Sequence, residues 1–528
     1  MGRIVVNSLL AITAVVGGLE AYKITPRQAT PLGECISTAS PNVTVYGVAD
    51  PFFLNSYIGT NLGYQQEPTL VVKVQNVEDI KAGVVCAKSL NEEIVVRNGG
   101  NSFAGFSYSS GIVLNLDDFI DVQVDTIAGK IKVESGNRLG RIYGFLVEAS
   151  EGGNMSVIGA GTWPYLGIAG HSLCAGYGMM GRKTGYITDQ IEQFEVVNAT
   201  GDLIVVSEAE NSELFYAMRG GCSSSFGFIT SVTIHTTTIP SDKMVYIDTR
   251  ARGLEDSVQV GNWWQQYASI DAPEELTTTF TFGVGGDDNS NPYVRIRGVY
   301  LGSKAEAESA LLADFEVGFS GIFSTTEIRD MFVEHDYLGG VNAFTGVAEF
   351  NTVDDFKAMT TLDRESVFYK TSFLMFDVIT EPSAYEQVFQ YFTDGKLDYF
   401  GWKAMGGAQT SNSTVQLGDV DHSDPRSPIV RGHLVQCHLG LTDTSNSGIE
   451  ATKATVLEAS AVIEASFISE RNGIWRYPGY LARYDDYMTT GNAGNIYFGE
   501  ANTEKLARAR EDADGEGVLI SDSSRYLF

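Results

Sequence analysis

Basic residues are scarce in this chain. Lys and Arg total 36 against 66 Asp and Glu among 528 residues, for a formal net charge of −30. A surface of that sign repels phosphate backbones and anionic headgroups, so nucleic acid and membrane-surface partners are not expected. Long apolar runs are missing as well. No stretch reaches the ~20 apolar residues of a membrane helix, so no stable membrane anchor is expected. The six histidines are scattered without an HExxH or similar set, and none of the five cysteines forms a CxxC pair, so no metal site is expected. Internal repeats and low-complexity runs are absent too.

What stands at the N-terminus reads as a secretion signal over residues 1–21. Arg3 supplies the positive start, Ile4 to Val16 is mostly apolar, and Gly17, Gly18 and Ala21 are small residues before a cleavage point. N-x-S/T sequons at Asn42, Asn154, Asn198 and Asn412 then suggest glycosylation and a secreted or secretory-lumen protein. In that oxidising setting the odd set Cys35, Cys86, Cys174, Cys222 and Cys437 leaves at least one thiol unpaired or paired with another chain.

From Thr69 strand and helix patterns alternate. Leu70–Val74, Ile94–Val96, Ile112–Leu116 and Lys130–Val133 read as strands, and Val77 to Ser89 has apolar residues at helical spacing. From about Met244 the texture changes. Val245–Thr249, Thr277–Gly283 and Tyr293–Leu301 read as antiparallel strands, with helices over Ser303–Phe315 and Ser383–Phe392. The expected class is α+β with two lobes. An N-terminal segment (22–66) precedes a first domain (67–239), a lobe built on an antiparallel sheet backed by helices (240–470) and a Tyr- and Gly-rich tail (471–528).

Two glycine clusters carry the functional signal. The first, Arg97-Asn98-Gly99-Gly100-Asn101-Ser102 with Gly105 close behind, follows a strand directly. Consecutive glycines let backbone N–H groups approach a pyrophosphate, although a structural turn would use the same residues. The second runs from Trp163 through Gly167, Gly170, His171, Gly176 and Gly178 to Asp189. A third block, Leu214-Phe215-Tyr216-Ala217-Met218-Arg219-Gly220-Gly221, precedes Phe226-Gly227-Phe228-Ile229-Thr230, and Asn495-Ile496-Tyr497-Phe498-Gly499-Glu500 lies near the C-terminus.

In this order the blocks resemble the FAD-binding (PCMH-type) domain and C-terminal tail of berberine-bridge-enzyme-like oxidoreductases, within the vanillyl-alcohol-oxidase type. The resemblance spans about Thr69 to Thr236 and Arg471 to Leu519. It implies FAD as cofactor, its diphosphate wrapped by the N–H groups of Arg97 to Ser102. The second cluster would line the flavin edge and ribityl chain, with Ile229 near the adenine and Asn495 and Tyr497 contributing from the tail. It further implies a Cys35–Cys86 disulfide and a middle lobe that covers the flavin and forms the substrate cavity.

The chain departs from that pattern at two positions. Many such proteins bond FAD through a histidine and a cysteine; here those positions hold Asn101 and Trp163. Neither side chain can form the bond, so non-covalent FAD is expected. Trp163 would stack on the ring edge or fill space meant for flavin, and Cys174 reads as a small buried residue. In the tail, Ala501 interrupts the G-E-N triplet. A proton acceptor above the flavin would come from Tyr477, Tyr480 or Tyr484, or from His433, each of which could equally be packing.

The expected function is an FAD-dependent oxidoreductase, a monomer. It would transfer hydride from a small natural product or sugar to flavin, with molecular oxygen or another acceptor taking the electrons, in secondary metabolism. A non-redox isomerase or cyclase on the same fold, or a binding protein without catalysis, are the alternatives. The secretion reading predicts that native-host material begins near Tyr22 and loses mass on enzymatic deglycosylation. Intact Met1 on exported protein overturns it.

Overall fold

The computed structural model describes residues 30–58, 66–102, 105–150, 152–285, 291–347, 350–359, 368–376, 382–410, 435–443, 454–456, 458–459 and 498–519; for 368–376 and 435–443 the backbone alone is described. The expected signal segment, Asn412, His433, Tyr477, Tyr480, Tyr484, Asn495 and Tyr497 lie outside them.

The first lobe holds two larger sheets and a two-stranded one that pairs Met155–Val157 with Thr237–Ile239. In one, strands Leu70–Lys73, Ile112–Asn115 and Ile94–Arg97 are parallel, and Thr44–Tyr46 adds antiparallel at the edge. A parallel pair needs a crossover, which helix Val77–Leu90 supplies. An Asn76–Asp79 capping box starts this helix, and Asn91 ends it in a left-handed conformation. Covered on both faces, these strands are short unbroken apolar runs. The second sheet is antiparallel, ordered Val122–Asp125, Lys130–Glu134, Phe228–His235, Ile191–Val197 and Leu203–Ser207.

The second lobe is one antiparallel sheet of seven strands. Its order is Phe332–Asp336, Lys243–Arg252, Asn291–Leu301, Leu276–Gly285, Tyr399–Ala404, Val435–Asp443 and Phe368–Phe376. One face is sealed by helices Leu254–Gln266, Lys304–Gly318 and Pro382–Thr393 around Trp264, Phe280, Phe315, Tyr385 and Trp402. Trp264 Nε1 donates to Thr278 Oγ1 at 2.9 Å, so the buried indole keeps its hydrogen bond. The opposite face is half-buried and polar, carrying Tyr246, Asp248, Thr279, Arg295 and Lys403. The α+β class expected from the sequence holds; strands Leu70–Lys73 and Ile112–Asn115 end one residue earlier than the sequence pattern indicates, and those of the second lobe, Lys243–Arg252, Leu276–Gly285 and Asn291–Leu301, extend one to three residues beyond it at one or both ends.

Helix Tyr337–Thr345 joins the lobes, its Tyr337, Val341 and Phe344 entering the same core as Tyr143, Met244 and Val299. Arg182 Nη2 adds a bond to Ala272 O at 2.7 Å. Near the C-terminus, helix Glu500–Asp514 lies on helix Ser212–Met218, where Tyr216 donates to Asn502 Oδ1 at 2.8 Å and Leu506 is fully buried. Beyond it, Leu519 is buried in the same cluster as Leu32 and Ile36. Asn42 and Asn154 are exposed, whereas Asn198 Oδ1 accepts from Thr200 and Asp202 N–H groups within a turn.

Among the described residues two disulfides are present. Cys35–Cys86 joins helix Pro31–Ala39 to helix Val77–Leu90, with Cα atoms 5.9 Å apart. Cys174 is half-buried and pairs with Cys222, Cα atoms 4.3 Å apart, which corrects its reading as a small buried residue. The pair is 48 residues apart in sequence, and spacing alone does not reveal such connectivity. A non-reducing digest is expected to yield a Cys35–Cys86 and a Cys174–Cys222 linked peptide. Cutting the first, by Cys35→Ser with Cys86→Ser, is expected to cost about 4 kcal/mol in the chain-entropy picture for a 51-residue separation, measured by denaturant unfolding.

Candidate functional site

The first glycine loop leaves the C-terminal end of strand Ile94–Arg97, and the second begins beside it. They touch through backbone. A Cβ on Gly99 would come within 2.7 Å of Gly167 N, and one on Gly167 within 2.6 Å of Gly99 N. Two chains approach so closely only where neither residue has a side chain. Gly100 adds a second requirement, with φ at +63°. Asn98 and Asn101 stitch the contact: Asn98 Oδ1 accepts from Ala169 N at 3.3 Å, and Asn101 Nδ2 donates to Gly99 O at 3.1 Å and Tyr165 O at 3.3 Å. Ser102 Oγ accepts from Phe106 N at 3.0 Å and closes the turn that contains Gly105.

Beneath the loops, Arg97 and Arg138 converge on Asp117, at 3.1 and 2.5 Å; both guanidiniums are buried. Arg97 also donates to Ile58 O at 3.0 Å. Burial, and then the neighbouring Arg97, pull the Arg138 pKa down against the attraction of Asp117. Arg97 thus anchors the loop through its side chain, while its carbonyl accepts from Leu116 N at 3.0 Å.

In the second cluster Trp163 is half-buried and tilted against Tyr165, their ring centres 5.7 Å apart. Gly170 is exposed with open space around it, while Gly176 and Gly178 are buried against neighbouring backbone and side chains. His171 contributes with its ring, which sequence reasoning did not anticipate. Its Nε2 accepts from Gly161 N–H at 2.8 Å, and burial pushes its pKa down to about 4. Asp189 Oδ2 accepts from Tyr186 N at 2.9 Å and closes the turn before helix Ile187–Gln190. Ile229 is buried in the first-lobe core opposite Val196. The disulfide Cys174–Cys222 holds this cluster to the segment after helix Ser212–Met218.

The residues present fit a dinucleotide. Among the described residues, Asn98 Nδ2, Ser172 Oγ and Thr188 Oγ1 are buried without a hydrogen-bond partner, a costly state unless a ligand supplies acceptors and donors. All three belong to or adjoin the two loops.

The polar face of the second lobe meets the second loop at one point. Lys403 Nζ lies 2.8 Å from Tyr177 OH and 4.9 Å above the centre of the Tyr177 ring. Further along, Arg295 clamps Asp248, its Nε donating to Oδ1 at 2.7 Å and its Nη2 to Oδ2 at 2.5 Å. Tyr246 OH adds a bond to Asp248 at 3.1 Å. Burial alone would raise the Asp248 pKa, but the Arg295 and Tyr246 bonds outweigh it and hold the carboxyl ionised below its usual range. Reading the sequence missed these residues, although the period-2 order Tyr246, Asp248, Arg250, Arg252 between Val245, Ile247 and Ala251 signals a polar strand face.

Residues 68–207 match the FAD binding domain family. The chain is 30% identical over 260 residues to berberine bridge enzyme-like 25 of Arabidopsis thaliana, a stretch covering 48% of this chain and 47% of that protein. Against the xylooligosaccharide oxidase of Thermothelomyces thermophilus it is 26% identical over 375 residues, 69% of this chain and 68% of that one. The chain spans about half the length of the first of these curated relatives. Among solved structures, Physcomitrella patens BBE-like 1 superposes with a TM-score of 0.76 at 19% identity, over 94% of this chain and 100% of that one. Fold and loops together define a two-lobed protein with an FAD-binding domain, its fold that of the berberine-bridge-enzyme-like structures.

Gly99→Val is expected to push the two loops apart and Gly100→Val to strain a left-handed backbone. Each should abolish flavin retention, read as the FAD-to-protein absorbance ratio, while circular dichroism stays native. Retained FAD in both variants would reduce the first loop to a turn. His171 generates a pH prediction. Its pKa is lowered in the folded state from 6.5 to about 4, so the unfolded chain binds the extra proton between those values. The stability this neutral ring secures is full above pH 6.5 and is lost as pH falls toward 4, by up to about 3 kcal/mol. Urea midpoints of the native chain and His171→Gln should therefore converge on acidification.

Proposed function

We propose that the chain is a secreted FAD-linked oxidoreductase with non-covalently held FAD, acting on an alcohol or amine carbon of a small natural product or sugar. The observation that carries this reading is the interlocked pair of glycine loops with the unpartnered Asn98 amide at their base. FAD, when bound, supplies the hydride acceptor, and molecular oxygen or another acceptor takes the electrons.

The chain's own residues have the following work. The backbone from Arg97 to Ser102 and the side chain of Asn98 hold the diphosphate, with Arg97 pinned to Asp117 so that the loop stays in place. Asn101 spends its amide on the Gly99 and Tyr165 carbonyls and so ties the loops to each other. An amide nitrogen of that kind is no nucleophile, and the indole of Trp163 offers no sulfur, which supports a flavin retained by hydrogen bonds and packing alone. The seven-stranded sheet covers the reacting ring and excludes water. A tyrosine among Tyr477, Tyr480 and Tyr484, or His433, removes the substrate proton.

Acid precipitation tests this reading directly. FAD should pass entirely into the supernatant and leave a colourless pellet. Flavin in the pellet would show a covalent link and overturn the non-covalent assignment. Protein that is colourless, binds no added FAD and still turns over its substrate would replace the redox reading with the isomerase or cyclase one.

A further inference from the structure

The polar face of the seven-stranded sheet has a charge opposite to the rest of the molecule. The strand register decides which residues share that face. Asp248 pairs with Arg297, Arg250 with Arg295 and Arg252 with Tyr293, and across the next strands Thr279 pairs with both Arg297 and Lys403. Five cations, Arg250, Arg252, Arg295, Arg297 and Lys403, thus stand on one face, with Asp248 as the single carboxylate on it among the strand residues whose side chains are described. The same register carried through Phe332–Asp336 places no acidic residue on it. In a chain with nearly twice as many acids as bases, this segregation is a built feature.

Geometry separates the roles of these cations. Arg297 donates to Phe344 O at 3.1 Å, and its buried Nε has no partner among the described residues. Arg295 is fixed by its two bonds to Asp248. Arg250 and Arg252 are exposed and lean on the Tyr293 ring at 5.3 and 5.7 Å. Tyr293 itself lies across Gly283 on the adjacent strand, where any side chain would displace it. One end of the face is covered by helix Tyr337–Thr345, and the Lys403 end touches Tyr177 of the second glycine loop. The open stretch around Arg250 and Arg295 therefore lies on the side of the sheet that meets the cofactor loops.

We infer that this face selects a small substrate bearing a carboxylate, held by the Arg250 fork with the Tyr293 ring beside it, while Arg295, its own fork kept on Asp248, contributes through its remaining Nη1 donors. The guanidinium fork of Arg250 matches a carboxylate in two-point geometry, and the half-buried Arg295 beside it adds positive potential. The inference deepens the oxidoreductase reading and rests on it for the claim that the bound acid is a substrate.

The experiment compares matched acids and neutral molecules on purified, FAD-supplemented protein: glucuronate against glucose, and benzoate against benzyl alcohol. Calorimetry gives binding independently of the flavin, and the flavin absorbance gives the FAD content. At least one acid should bind ten-fold or more tightly than its neutral partner, weaken with added salt, and lose ten-fold or more in Arg250→Gln and in Arg295→Gln. Arg250 is exposed, so its variant folds even where loss of the Asp248 clamp destabilises the other. Equal affinity for acid and neutral partner, no measurable binding of either acid, or unchanged acid binding in Arg250→Gln overturns the inference. Acid binding that follows this pattern in protein without FAD would retain the anion site and reject the redox reading.

Discussion

The contact between Gly99 and Gly167 sets the rest of the first lobe. Strand Ile94–Arg97 ends where the second loop begins, and only two residues without side chains let the backbones meet. Once they meet, the side chains around them have little freedom. Asn98 and Asn101 must bridge to Ala169 and Tyr165, Arg97 must turn back to Asp117, and the His171 ring must lie under Gly161 to accept its N–H. Each is a buried or half-buried polar group that bonds to a different segment of the chain. The site is therefore a single hydrogen-bonded unit, and its parts gain their geometry from one another.

Much of this was legible in the sequence because it depends on local chemistry. The run Leu70–Val74 reads as a strand, the spacing of Ile80, Val84 and Val85 as a helix, and paired glycines after a strand as a loop that approaches something closely. The alternation in Val245–Thr249 showed the antiparallel lobe for the same reason. What was not legible depends on contacts between distant segments. The pairing of Cys174 with Cys222, the capture of Asp117 by two arginines and the meeting of Lys403 with Tyr177 join residues between 20 and 226 positions apart. The His171 ring shows a subtler limit: its partner Gly161 is ten residues away, but the bond exists only because the intervening chain folds back.

The two faces of the large sheet show how one register serves two ends. Along strand Leu276–Gly285, Leu276, Thr278, Phe280 and Phe282 supply the core beneath the helices, while Thr277, Thr279 and Thr281 look the other way. A shift of one residue would bury the arginines and expose the aromatics, so packing fixes the polar surface as firmly as the core. The charge on that surface is thus inherited from the hydrophobic pattern of its neighbours.

Leu519 shares a hydrophobic cluster with Leu32 and Ile36, so both ends of the described chain close the same part of the first lobe. During synthesis the ribosome delivers the early helix long before its partner. The strands and both glycine loops emerge while that cluster is still open, and the entire second lobe must pass before Leu519 arrives. Consolidation of the first lobe consequently waits until the second lobe has been made, and in an exported chain it falls after translocation of both, in the lumen where the thiols also oxidise. Flavin supplied in that compartment, rather than on the ribosome, would meet the finished loops.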